Sequence, residues 1–186
     1  MKNNPVKTAL LMSLIFAGMH LPMTAHALST DSDQPMKIAA DRVDIDDEKG
    51  TSTFKGNVLI TRGSIRIVGD SIVVYRDKEK NLDKLHSIGR PAHFEQTPDG
   101  KKKPVIAEAN ELFYDAVKEL LIMRGNAKIV QSGNIFTGNS IIYDSKRDKI
   151  TAKRDPAAKK STGKDSGRIQ ITIQPKQKKD KPAAKK

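Results

Sequence analysis

The chain of 186 residues contains no cysteine, which excludes a disulfide framework, a thiolate metal site and a cysteine nucleophile. Histidine is also scarce. Of four in the sequence, only His86 and His93 lie beyond the amino-terminal segment. They stand seven apart around Gly89-Arg90-Pro91, with no partner at a spacing that would form a triad or a metal set. No serine occupies a nucleophile elbow, and no glycine-rich loop could cradle phosphate. Aromatic residues make up 4% of the chain, with no tryptophan, and the body's Phe and Tyr fall at inward strand positions rather than in the exposed basic and aromatic alternation of a stacking platform. Nothing in the sequence calls for an enzyme, a cofactor or nucleic acid.

Long apolar runs are absent except near the start. Lys2 and Lys7 precede an apolar run from Ala9 to Met19, then Pro22 and the small-residue triplet Ala25-His26-Ala27. This order is that of a secretory signal spanning 1–27, cleaved before Leu28. The run is shorter than the roughly 20 residues a spanning helix needs, and no cysteine follows to carry a lipid. The mature protein is therefore expected in an extracytoplasmic compartment.

The formal net charge of +12 is unevenly distributed. From Lys153 to Lys186 there are 12 basic residues against Asp155, Asp165 and Asp180, while 28–152 holds 20 basic and 19 acidic residues. The high isoelectric point thus describes a tail, and the body is close to neutral. Residues 153–186 read as a Lys-rich flexible tail whose composition buries too little apolar surface to fold. One island, Arg168 to Ile173, alternates apolar and polar residues up to Pro175 and reads as a terminal strand.

What fills the body is a duplication. A shift of 69 positions lays Gly56-Asn57 on Gly125-Asn126, Ile60 on Ile129, Gly69 on Gly138 and Ser71-Ile72 on Ser140-Ile141. Within it, a small residue, an Asx and two alternating apolar residues recur four times, starting at Ala40, Gly69, Ala109 and Gly138. Each copy reads as a turn residue feeding a period-2 strand. The stretch from Phe54 to Tyr75 reads as three short strands broken at Gly63 and Gly69. Stacked β units of this kind argue against a fold built around one irregular pocket. Pro35 marks the first strand, with Met36 and Ile38 on one face, as a sheet edge. The acids from Asp44 to Glu48 miss the calcium-loop pattern, because the glycine comes one place late and Lys55 stands where the closing glutamate belongs.

The apolar face of these strands is either ordinary core or in part a groove for apolar chains. Met36, Met123, Phe54, Phe94, Tyr114 and Tyr143 give it a deformable lining. Paired carboxylates for glycoside chemistry are a third reading, but the acids sit at strand openings and turns, where solvated acids belong.

Several motifs taken together resemble a known family. They are Asp33-Gln34-Pro35-Met36-Lys37-Ile38, the run Phe54 to Ile67, Gly69-Asp70-Ser71-Ile72-Val73-Val74, Gly89-Arg90-Pro91-Ala92-His93-Phe94 and Met123-Arg124-Gly125-Asn126-Ala127. The combination covers Asp33 to about Ile150 and is similar to the periplasmic lipopolysaccharide-transport bridge (OstA-like) family. The resemblance implies an all-β fold over 28–152, an open, twisted β-jelly-roll of bent antiparallel strands. It also implies a carrier that shields lipid A acyl chains of lipopolysaccharide in an apolar groove. Copies would stack head to tail by edge-strand addition, between an inner-membrane lipopolysaccharide export complex and an outer-membrane lipopolysaccharide assembly complex. On the family pattern, Met36 and Ile38 fall at the groove mouth and Phe94 and Tyr114 in its lining. The repeat adds Phe54, Ile60, Ile67, Val74, Leu112, Met123, Ile129 and Tyr143. The carboxyl end departs from the pattern in its length and lysine content. The competing reading is an exported structural or adaptor β protein with a closed core and no lipid cargo.

Overall fold

The computed structural model describes residues 30–101, 103–153 and 168–175; the expected signal segment lies outside them, as does most of the tail. Among the described residues, a 3-10 turn at Thr30–Asp33 is followed by ten strands. They are β1 (Lys37–Ala39), β2 (Arg42–Asp46), β3 (Thr51–Arg62), β4 (Ile65–Arg76), β5 (Leu82–Gln96), β6 (Val105–Asp115), β7 (Leu120–Gln131), β8 (Asn134–Asp144), β9 (Lys149–Lys153) and β10 (Gln170–Thr172). All belong to one antiparallel sheet in which β3 to β8 neighbour one another in chain order. The fold is all-β and the sheet is open: among the described residues, β1 and β2 pair only with β3, and β9 and β10 only with β8.

Phe54 to Tyr75 forms two long strands rather than three short ones. Gly63 sits in the turn between β3 and β4, but Gly69 lies inside β4. The small–Asx pairs are likewise bends and not turns, except at Ala40-Asp41, which separates β1 from β2. The reason is opposite them in the ladder. Registers shift between Lys55 and Val58, Val68 and Ser71, Ile88 and Ala92, Glu108 and Glu111, and Arg124 and Ala127. These bulges lie side by side across the sheet and fold every long strand at its middle.

The duplicated Gly-Asn pairs build two of the bulges. Gly56 and Asn57 have φ of 76° and 46°, and Gly125 and Asn126 have φ of 72° and 52°. Glycine and asparagine tolerate this left-handed region, so an extra residue enters the strand and bends it. Each pair faces an Asx of the repeat: Asn57 Nδ2 donates to Asp41 Oδ2 at 3.0 Å, and Asn126 Nδ2 to Asn110 Oδ1 at 3.5 Å. Along the inner side of the bend, Val58 pairs with Gly69, Ala92 with Ala109 and Ala127 with Gly138. Small side chains there leave room for the two limbs to close.

The bend divides the sheet into two limbs. The first holds β1, β10, the carboxyl halves of β3, β5 and β7 and the amino halves of β4, β6 and β8. The second holds β2, β9 and the complementary halves. Apolar residues alternate inward along every long strand, so the limbs close with their apolar faces together.

Candidate functional site: apolar rows between the limbs

Strand registers arrange the inward side chains in cross-strand rows. On the first limb, Ile38, Ile60, Ile67, Phe94, Ala107, Ile129, Phe136 and Ile171 are successive partners from one edge of the sheet to the other. On the second limb, Val43, Phe54, Ile72, Ser87, Leu112, Met123, Ile141 and Ala152 form a row nearer the bend. Ile45, Ser52, Val74, Leu85, Tyr114, Leu121, Tyr143 and Ile150 form a row beyond it. Eleven of the twelve residues singled out in the sequence fall on these rows. Met36, the twelfth, packs against the same core from beside Ile60 and Arg62.

Their environments differ. Ile60, Ile67, Val74, Phe94, Leu112, Tyr114, Met123, Ile129 and Tyr143 are buried, whereas Met36, Ile38 and Phe54, close to the β1/β2 edge, are half-buried. The rows end in solvent. Val43 and Ile45 are 51% and 58% exposed at one edge, and Ile171 is 55% exposed at the other. The rows therefore form an apolar core between the limbs, filled by its own side chains, with Val43, Ile45 and Ile171 exposed and Ile38, Ile150 and Ala152 half-buried at its ends.

The limbs touch through aromatic rings. Phe94 of the first limb meets Tyr114 of the second with centroids 5.6 Å apart and planes inclined by 41°. Burial pushes the Tyr114 hydroxyl above its ordinary value, with the Glu119 carboxylate adding to the effect. Burial likewise raises Tyr143, to about 12, with Asp148 adding to it. Within the apolar rows the free space is small: a cavity of about 40 Å³ lies among Met36, Ile60, Arg62, Ile67, Leu85 and Tyr114, room for a few waters and far short of an acyl chain. A larger hollow of about 330 Å³ opens beside them, but its walls are polar, among them Gln96, Lys101, Glu119, Lys146 and Asp148.

Polar groups close the long side opposite the bend. Lys101 Nζ, on the turn after β5, lies 2.8 Å from Asp148 Oδ2 on the turn before β9, joining the far ends of the two limbs. Gln131 of the first limb also donates to Asp148. At the amino end, Asp31 is buried and accepts from Ser64 N at 2.6 Å, Ser64 Oγ at 2.8 Å and Gln96 Nε2 at 3.1 Å. Arg62 donates to the carbonyls of Ser32 and Gln34. These hydrogen bonds tie the 3-10 turn across the β3–β4 hairpin, where Gly63 leaves space for the Asp31 carboxylate.

Sequence reasoning missed Leu85, because its neighbours are charged and no second apolar residue marks the alternation. It also missed Asp31 and Gln96, whose pairing spans 65 positions. Both histidines lie in β5 on the outer face. His86 stacks on Phe113 with centroids 4.0 Å apart, and His93 is flanked by Glu95 and Glu108. Among the described residues no group of three or more His, Cys, Asp or Glu is placed to hold a metal.

This architecture can be compared with known proteins. Residues 37–149 match the family model described as LptA/(LptD N-terminal domain) LPS transport protein. The chain belongs to this family. Its LptA-family relatives include the lipopolysaccharide export system protein LptH of Pseudomonas aeruginosa, 32% identical over 83% of this chain and 87% of LptH. Lipopolysaccharide export system protein LptA of Escherichia coli K12 is 32% identical over 87% of this chain and 86% of LptA. Among solved structures, the LptH crystal structure superposes with a TM-score of 0.69 at 32% identity, covering 78% of this chain and 99% of LptH. LptH is described there as a periplasmic component of a lipopolysaccharide transport device. The bent open sheet is thus the β-jelly-roll of the LptA family, and the matched span holds all the long strands.

Proposed function

We propose that the protein is a periplasmic carrier that binds lipopolysaccharide through its lipid A acyl chains, along the three apolar rows. It passes the lipid from the inner towards the outer membrane, in copies joined head to tail through β1/β2 and β9/β10. One observation carries this reading: the rows, apolar apart from Ser52 and Ser87, cross the whole sheet and reach exposed residues, Val43 and Ile45 at one edge and Ile171 at the other. A core that served packing alone would be capped there by polar or covered residues.

Acyl chains enter when the limbs part about the line of bulges. The twelve residues Met36, Ile38, Phe54, Ile60, Ile67, Val74, Phe94, Leu112, Tyr114, Met123, Ile129 and Tyr143 then touch lipid in place of one another. Burying one CH₂ is worth about 0.8 kcal/mol, so a chain of about a dozen methylenes gains on the order of 10 kcal/mol. That gain offsets the side-chain packing that the limbs give up across the cleft as they separate. The lipid's sugars and phosphates stay in water outside the mouth. Movement along the rows needs no covalent step or cofactor here; an energised inner-membrane export complex supplies lipid at one end and an outer-membrane assembly complex removes it at the other. The amino-terminal signal delivers the chain to the periplasm.

The tightly filled interior favours a second reading, an exported structural or adaptor protein with a closed core. Photo-crosslinking residues placed in cells at Met36, Ile38, Phe94 and Tyr114, with Arg66 and Lys128 as outward controls, separate the two. Lipopolysaccharide adducts at the four inward positions alone are expected. With the protein folded and exported, no adduct at any of them would establish the closed-core reading.

A further inference from the structure

The polar hollow of about 330 Å³ bridges the far ends of the two limbs. One wall is the end of β5 and the turn after it, with Gln96, Asp99 and Lys101; the other is the turns after β6 and β8, with Glu119, Lys146 and Asp148. Its chemistry calls for a cation that donates hydrogen bonds. Gln96 is 4% exposed, and its Oε1 accepts no hydrogen bond among the described residues. A buried acceptor of this kind is costly until a donor reaches it. Lys101 lies 2.8 Å from Asp148 and Lys146 3.6 Å from Glu119, whereas Asp99 belongs to no ion pair among the described residues. The walls thus carry one more carboxylate than ammonium.

Two of these carboxylates stand where a side chain is a burden. The four-residue turns 47–50, 116–119 and 145–148 each end in left-handed backbone. The first uses Gly50, at φ 64°, but the others use Glu119 and Asp148, both at φ 52°. Glycine is the easier residue there. Both turns instead keep a carboxylate on the hollow.

The chain's own carboxyl end stands at the rim. Gln174 N donates to Asn134 Oδ1 at 3.1 Å, Asn134 pairs with Gln131 across the β7–β8 hairpin, and Gln131 donates to Asp148 on the hollow wall. Lys176 to Lys186, outside the described residues, hold six lysines and one aspartate. At about 3.3 Å per residue they can reach roughly 35 Å, several times the width of a hollow of this volume. Lysine supplies what the walls lack, a positive charge and three N–H donors on a long stem. Single exposed pairs are weak, but a segment tethered at the rim meets the hollow at an effective concentration on the order of millimolar, so weak contacts suffice. A free anion would meet surplus negative charge, and among the described residues no group of three His, Cys, Asp or Glu is placed to hold a metal.

We infer that the carboxyl-terminal segment, Lys176 to Lys186, docks its lysines in this hollow and straps the two limbs together across the cleft. Because the walls belong to both limbs, the segment must leave before they part. The docking stands apart from the carrier reading; only its effect on lipid uptake rests on that reading.

Docking is tested by nuclear magnetic resonance on the mature chain, with no native cysteine to interfere. A nitroxide on Ala183→Cys should broaden the amide signals of Asp99, Lys101, Glu119 and Lys146 at low salt and leave those of Asn57 and Asn126, at the bend, sharp. High salt, which screens exposed charges, should remove most of the broadening, and so should Lys178→Gln, Lys179→Gln and Lys181→Gln together. Broadening that spreads evenly over the chain, or that survives both changes, overturns the proposal. Equal broadening of an unmodified copy by a spin-labelled one also overturns it, by placing the segment on another molecule. In the lipid arm, the chain with the three glutamines should take up fluorescent lipid A about two- to fivefold faster, the effect of losing about one exposed ion pair. Equal rates overturn the strap. If neither chain binds lipid A while the broadening stands, the carrier reading fails and the docking is upheld.

Discussion

Phe94→Ala measures whether the limbs are closed in solution. Phe94 is 1% exposed, lies between Ile67 and Ala107 in its row and meets Tyr114 across the cleft. If that stacking persists, deleting the ring removes its transfer energy and leaves a hole, a cost of about 3–5 kcal/mol. For a chain of this size each kcal/mol lowers the melting temperature by about 2–4 °C, so a drop of roughly 6–20 °C is expected. If instead the limbs stand apart, the ring sits on an open wall and its loss costs well under 1 kcal/mol. The assay is urea and thermal unfolding followed by circular dichroism at low protein concentration, with Tyr75→Ala, half-exposed on the outer face, as the control. Adding lipid A should restore part of the loss, because an acyl chain fills the space the ring leaves and binding to the folded state adds stability by mass action. A loss below about 1 kcal/mol without lipid would refute the closed interior described here.

Two further outcomes follow from the bend and the buried tyrosines. Gly100 and Gly125 have φ of 70° and 72°, but a Cβ on Gly100 meets nothing whereas one on Gly125 comes within 2.7 Å of Asn110 Nδ2. Gly100→Ala should therefore cost only the left-handed strain, about 1–2 kcal/mol, and Gly125→Ala measurably more by urea midpoint; equal losses would show that the bend absorbs the added carbon. Tyr143 and Tyr114 keep their protons in the folded chain at a pH where the unfolded chain gives them up. Stability is then fully present below about pH 10 and falls as pH rises towards about 12. A Tyr143→Phe chain should show a shallower decline in urea midpoint over that window, and an unchanged slope would mean that the hydroxyl is solvated.

Much of this fold was legible because it follows from local chemistry. Alternation in β3 to β8 marks the inward face residue by residue, since side chains of a strand point to opposite sides. The repeated Gly-Asn pairs stand out because few other residues accept left-handed backbone. Sequence alone also located the edge at Pro35 and the shift in composition at Lys153. It misjudged the role of Gly69 and the Asx repeats, because a bulge and a turn use the same residues, and which one forms depends on whether the ladder resumes beyond it.

Tertiary structure decided what no window of the sequence contains. Whether Phe94 and Tyr114, twenty positions apart, meet across a cleft depends on five bulges falling in line, which is a property of the registers of six strands at once. Likewise Asp31 is buried against Ser64 and Gln96 only because the hairpin ends converge, and the Lys101–Asp148 bridge exists only because the limbs close. The alternating pattern fixed which residues avoid water; the bend determined that they avoid it against one another between two limbs of one sheet.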